Sequence, residues 1–215
     1  MITEAPPEMP ATPASGYPIA LAIERPEKQS RLLNFPLGIG FFIRALLLVP
    51  HFIILWFFGA LAILVYFIAT FAILFTGRYP LGLYNLVVAY MRWNAYVSGY
   101  LQSLYDNYPP FSGEENREYP LQFSAAYPEK SSRLLNFPFF GWMIRAFILI
   151  PHYFLVLFLG LIVYVILFIA MFAILFTRSF PSGMHGYVTG VMRWNTRLSA
   201  YGYGLTDRYP PFSMS

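Results

Sequence analysis

The chain has 215 residues, 58% hydrophobic, 20% aromatic and only 11% charged, with a mean hydropathy of +0.54. A soluble domain carries about 25% charged residues, so this composition excludes a monomeric soluble enzyme, and the 22 Phe, 17 Tyr and 4 Trp exclude disorder over most of the chain. The net charge of +4 is small and its basic residues are scattered singly, which argues against nucleic acid as a partner and suits weak attraction to an anionic membrane face.

The chain therefore reads as an integral membrane protein. It contains no Cys, which removes disulfides, thiolate nucleophiles and Cys-ligated zinc or iron–sulfur centres. Residues 1–16 hold four prolines and two glutamates, with neither a basic run nor an apolar core. They are expected to be a disordered Pro-rich tail rather than a cleavable signal peptide.

Self-comparison shows a tandem duplication. Residues 26–36 recur at 128–138 with one difference, Ser131 for Gln29. At an offset of 101 or 102, Ile43-Arg44-Ala45 matches Ile144-Arg145-Ala146, Pro50-His51 matches Pro151-His152, and Gly59 matches Gly160. Residues 71–76 recur at 172–177, Met91-Arg92-Trp93-Asn94 at 192–195, and residues 108–112 at 209–213. The units are 17–115 and 119–215.

Each unit opens with alternating apolar positions, Tyr17, Ile19, Leu21 and Ile23, then Tyr119, Leu121 and Phe123. This period of two predicts a short strand per unit, and the two strands can pair across a pseudo-twofold axis. An apolar block follows, 37–76 and 139–177, with one arginine and one histidine in each. About 40 apolar residues make either two crossings with almost no loop or one long crossing preceded by an interfacial helix. Basic residues flank both ends of each block evenly, which favours both ends on the cytoplasmic side and hence a tight helical hairpin turning near Gly59 and Gly160. Two crossings per unit would relate the repeats by an axis along the membrane normal, with His51 and His152 at equal depth.

The Tyr-rich segments 81–105 and 183–203 read as amphipathic interfacial helices. In the second, His185, Thr189, Arg193 and Arg197 form a polar stripe at i, i+4. Prolines in Tyr108-Pro109-Pro110-Phe111 and its copy end these helices. Their rings are expected to pack on the opening segments, near 17–23 or 119–125, burying Phe111 and Phe212. The fold expected is thus an all-α membrane protein of two hairpin-plus-interfacial-helix units, each with a short N-terminal strand.

The run Ala72-Ile73-Leu74-Phe75-Thr76-Gly77-Arg78-Tyr79-Pro80, then Arg92-Trp93, then Asp106-Asn107-Tyr108-Pro109-Pro110-Phe111 resembles a bacterial membrane family known as a domain of unknown function. The resemblance spans both repeats and implies a tandem arrangement in a bacterial inner membrane, multi-pass. The second copy departs from the pattern at Arg178-Ser179-Phe180-Pro181. The resemblance implies no activity.

Arg44 and Arg145, inside or at the edge of the apolar blocks, are candidates for a lipid headgroup or anion; the simpler reading is snorkelling or pairing with backbone carbonyls. His51 and His152 lie seven residues on, on the same helix face, and a neutral imidazole there can ligate a haem or a chlorophyll-type magnesium. The simpler reading is a Pro-His kink. Arg92, Trp93, Arg193 and Trp194 are candidates for lipid or partner contact, or plain interfacial anchors. Asp106 and Asp207 read as turn caps without a sequence-local partner. No metal-ligand cluster, phosphate loop or nucleophile–base arrangement is present, so no enzyme is expected. The expected role is a non-catalytic accessory or scaffold subunit among other integral membrane subunits in the phospholipid membrane; the alternative is a lipid or small-molecule transport or lipid-handling protein.

Overall fold

The computed structural model describes residues 16–215; the tail expected over 1–16 lies, apart from Gly16, outside them. The described elements repeat one order twice. The first unit has β1 (Ile19–Ile23), α1 (Ile39–Leu47), α2 (Val49–Thr76) and α3 (Leu81–Leu101); the second has β2 (Leu121–Ala125), α4 (Phe140–Ile148), α5 (Ile150–Thr177) and α6 (Ser182–Gly202).

The two predicted strands form an antiparallel ribbon with Leu21 opposite Phe123, Ile19 opposite Ala125 and Ile23 opposite Leu121. Since Leu21 and Phe123 are equivalent positions of the two repeats, this register places a pseudo-twofold axis through their pair. Other bonds repeat across it. The Gln29 amide donates to the Arg178 carbonyl at 2.7 Å and the Ser131 amide to that of Gly77 at 2.9 Å. The Tyr17 hydroxyl donates to the Arg208 carbonyl and that of Tyr119 to the Asn107 carbonyl, at 2.9 and 3.0 Å. Each opening segment is therefore fastened to the far end of the other repeat.

The expected hairpins are absent. Gly59 and Gly160 lie inside unbroken 28-residue helices, each about 42 Å long at 1.5 Å per residue. A reversal there would have left several backbone groups unpaired among apolar side chains, with no turn residue except the glycine itself. The other arrangement allowed by the sequence, a short helix followed by one long one, is what forms. The break falls at Leu48, just before Pro50, whose missing N–H suits the first turn of α2. Gly77 ends α2 in the left-handed region (φ 69°), its amide returning to the Ile73 carbonyl; Arg178 takes the same conformation (φ 61°) at the end of α5.

A second correction concerns α3 and α6. They are a middle layer rather than interfacial helices: α3 packs on α2 and on β2, α6 on α5 and on β1, and the two touch each other. The stripe of His185, Thr189 and Arg197 is buried accordingly. His185 Nε2–H donates to the Leu104 carbonyl at 3.1 Å. Burial pushes this imidazole below the usual histidine range, the nearby Arg25 adding to the effect and the Leu104 carbonyl opposing it. The folded state thus stays neutral where the unfolded chain takes up a proton, below about pH 6.5, so stability should fall as pH drops through that region. His185→Gln, which keeps a donor, is expected to flatten the unfolding profile between about pH 7 and 5.

The outermost layer is α2 and α5. One stripe of α2, with His51, Leu55, Gly59, Ala62, Ala69 and Ile73, is buried on the middle layer, while Ile53, Trp56, Phe57, Ile63, Leu64 and Phe75 are exposed. In α5, Phe154, Leu157, Leu161, Tyr164 and Phe176 are exposed likewise.

Candidate functional site

The two inward arginines are structural. Arg44 sits on α1 one turn after Gly40, and both face the loop before the helix. Its guanidinium, 0% exposed, donates to the Leu33, Tyr100 and Tyr105 carbonyls at 2.8–3.0 Å and to Asn34 Oδ1 at 3.1 Å, and it pairs with the Asp106 carboxylate. All five N–H groups are thereby used. Arg145 repeats this with Leu135, Tyr201, Thr206, Asn136 and Asp207. Asp106 also accepts from the Ser30 amide and Asn34 Nδ2. The carboxylates are thus the arginines' counter-ions as well as loop caps. Sequence reasoning missed the pairing because the partners lie about 60 residues apart; the joint recurrence of Leu-Leu-Asn-Phe-Pro, Ile-Arg-Ala and Asp-x-Tyr-Pro-Pro-Phe in both copies was the available signal.

The histidines close a second recurring cluster. Trp93 Nε1 donates to His51 Nδ1 at 3.0 Å, and the Phe111 ring stacks on the imidazole at 3.9 Å. Nε2 is buried toward the Pro109 carbonyl without a well-formed hydrogen bond. Trp194, His152 and Phe212 repeat the arrangement. With one nitrogen taken, one ring face covered and the other nitrogen buried, neither histidine fits a haem or a chlorophyll-type magnesium. Phe111 and Phe212 therefore cap the histidines at the starts of α2 and α5 instead of packing on the opening segments, and at 52% and 54% exposed they are not buried as expected. Trp93 and Trp194 are buried rather than interfacial. Trp93→Phe strands His51 Nδ1 and should cost about 1–2 kcal/mol, read as a lower melting temperature in detergent, with exposed Trp56→Phe unchanged.

Arg92 and Arg193 also turn inward. Arg92 donates to the Phe123 and Gly113 carbonyls at 3.3 and 2.8 Å, and Arg193 to those of Leu21 and Met214 at 2.8 and 2.7 Å. They tie each middle-layer helix to the other repeat's strand and to its own C-terminal segment.

One place where the repeats differ borders a cavity of about 560 Å³ between α3, α5 and α6. In the first repeat the Tyr90 ring fills the space over Gly59, its hydroxyl only 3.0 Å from where a β-carbon would stand. The equivalent residue of the second repeat is Val191, and Gly160 has nothing within 4 Å of that point. The missing ring leaves the Gly160 side of the cavity open. The lining combines Asn94, Asn195, Thr196 and Ser199 with apolar Val163 and Leu167, and holds no charged residue. Among the described residues there is no cluster of three His, Cys, Asp or Glu that could hold a metal.

These features define a mostly helical, internally duplicated protein with two helices long and apolar enough to cross a membrane. The chain belongs to the family described as Domain of unknown function (DUF4389), which matches it twice, over residues 39–113 and 141–214. Both matches begin after the strand of their repeat. No curated protein and no solved structure matches the chain.

Proposed function

We propose that this is a non-catalytic lipid-handling protein of the bacterial inner membrane, whose cavity holds the uncharged polar head of an amphiphile. The carrying observation is the Val191 opening: amide and hydroxyl side chains meet an apolar wall beside an exposed apolar helix, and no charge lines the space. Such a lining suits a hydroxyl- or amide-bearing headgroup better than a phosphate, which would call for a basic partner. Arg44 and Arg145 have their donors committed to the protein, so the polar groups placed to meet a lipid head include Asn94 and Asn195.

The test is Val191→Tyr, which copies the first repeat's own solution and narrows the cavity where it passes over Gly160. Protein purified in mild detergent is expected to carry a neutral lipid, detected by mass spectrometry of the extract, and the variant to lose it while eluting and melting like the parent. Equal lipid in both would overturn the reading. A second reading, an accessory or scaffold subunit, draws on the exposed Trp56, Phe57, Trp142 and Phe147. Purification in a stable complex with other membrane subunits, with no bound lipid, would favour it.

A further inference from the structure

The two long helices run antiparallel. The C-terminal end of α2 meets the second repeat's Arg145 loop through Gly77 and Ser131, and the C-terminal end of α5 meets the first repeat's Arg44 loop through Arg178 and Gln29. The Arg31 guanidinium reaches the Phe176 carbonyl at the same end. The pseudo-twofold axis is therefore perpendicular to both helices, and it passes through the Leu21–Phe123 pair at mid-length of the molecule.

If α2 and α5 stood across a bilayer, everything near that axis would lie at mid-depth. That includes the ribbon and the loop after residue 112. This loop is fixed to the middle of α3, where the Gly113 carbonyl accepts from Arg92, the Gly113 backbone abuts Ala89, and the Glu114 carbonyl accepts from Tyr96 at 3.3 Å. Glu114, Glu115, Arg117 and Glu118 are all exposed there, Arg117 and Glu115 as a solvent-facing pair 3.6 Å apart. Exposed charges and an open two-stranded ribbon do not persist in hydrocarbon.

Turned through 90°, the same molecule meets no such conflict. The exposed apolar stripes of α2 and α5 point away from the middle layer and hence from the ribbon. The short helices α1 and α4 bury only a glycine and an arginine and expose Phe42, Leu46 and Leu47, and Phe140, Trp142 and Phe147. Lys28, Arg31, Lys130 and Arg133 are exposed near the two ends. This explains why basic residues flank both ends of each apolar block without any hairpin.

We infer that the protein is monotopic: it lies in one leaflet, α2 and α5 parallel to the membrane plane with their apolar faces among acyl chains, and presents the ribbon and the loop 114–118 to water on one side. The pseudo-twofold axis then runs along the membrane normal, and His51 and His152 sit at equal depth. The inference concerns how the protein sits and is independent of what the cavity holds.

The chain's lack of cysteine permits a direct test. Lys28→Cys, Lys130→Cys and Glu115→Cys replace exposed side chains at the two ends and on the ribbon face. In sealed right-side-out and inverted vesicles, a membrane-impermeant maleimide is expected to label all three from one face to the extent seen in detergent, and none from the other. Size-exclusion profiles matching the parent would show that the variants are folded. Labelling of positions 28 and 130 from opposite faces, or of position 115 from the other face or only after detergent, would overturn it.

Discussion

Replacing Arg44 with Leu is expected to lower stability by about 3–5 kcal/mol, the range for breaking a buried ion pair from one side. The substitution leaves the Asp106 carboxylate, 23% exposed, without its counter-ion. It also strips the Leu33 and Tyr105 carbonyls of their donor, and the Tyr100 carbonyl of one of its two, at a point where three chain segments meet. Lys is not a substitute, because three donors on a single nitrogen cannot reach five acceptors spread around a planar fork. Removing Asp106 as well, in Arg44→Leu/Asp106→Leu, should cost less than the sum of the single changes, since each single change orphans the other partner. Thermal unfolding in detergent checks both statements. A loss under about 1 kcal/mol for Arg44→Leu would place the pair among surface ion pairs instead.

Gly40→Ala should act on the same clamp, from one turn earlier in α1. A β-carbon at Gly40 would stand 2.6 Å from both the Leu33 carbonyl oxygen and the Phe35 amide nitrogen. These are backbone atoms and cannot rotate away, so the helix must move off its loop and carry Arg44 with it. The expected cost is about 3 kcal/mol, the upper part of the range for overpacking. Gly141→Ala should behave alike, because its β-carbon would meet the Leu135 carbonyl at 2.5 Å. Gly82→Ala is the control. That site lies in α3 with nothing within 4 Å, and the change should be neutral or stabilising by up to about 1 kcal/mol. Comparable melting temperatures for the Gly40 and Gly82 variants would contradict this account of the clamp.

What could be read from the residues divides along the range of the interaction. The duplication, the strands at 19–23 and 121–125, and the helix stop before Pro109 are local or repeated signals and stand in the structure. Basic residues balanced across an apolar block point to a hairpin at Gly59, but balance at two ends describes a helix lying in a plane as well as a chain that returns. The middle-layer placement of α3 depended on contacts with β2, some 20 residues beyond its end. Arg44 with Asp106, and His51 with Trp93, pair over 62 and 42 residues, a distance at which periodicity carries no information. The cavity leaves one trace in the aligned repeats, Tyr90 against Val191, which carries no meaning until Gly160 and α5 are placed beside it.

In the monotopic arrangement acyl chains cover the outer face of α2 and the exposed side of α4, and Trp56 and Trp142 stand on these two faces. Trp56 and Trp142 are 71% and 64% exposed, whereas Trp93 and Trp194 are buried against their histidines. In proteoliposomes made with acyl-chain-brominated phospholipid, the parent protein is expected to lose much of its tryptophan fluorescence. Trp56→Phe/Trp142→Phe, which keeps only the buried pair, should lose almost none. Equal quenching in the two proteins, or none in the parent, would show that acyl chains do not cover these faces and would contradict the account.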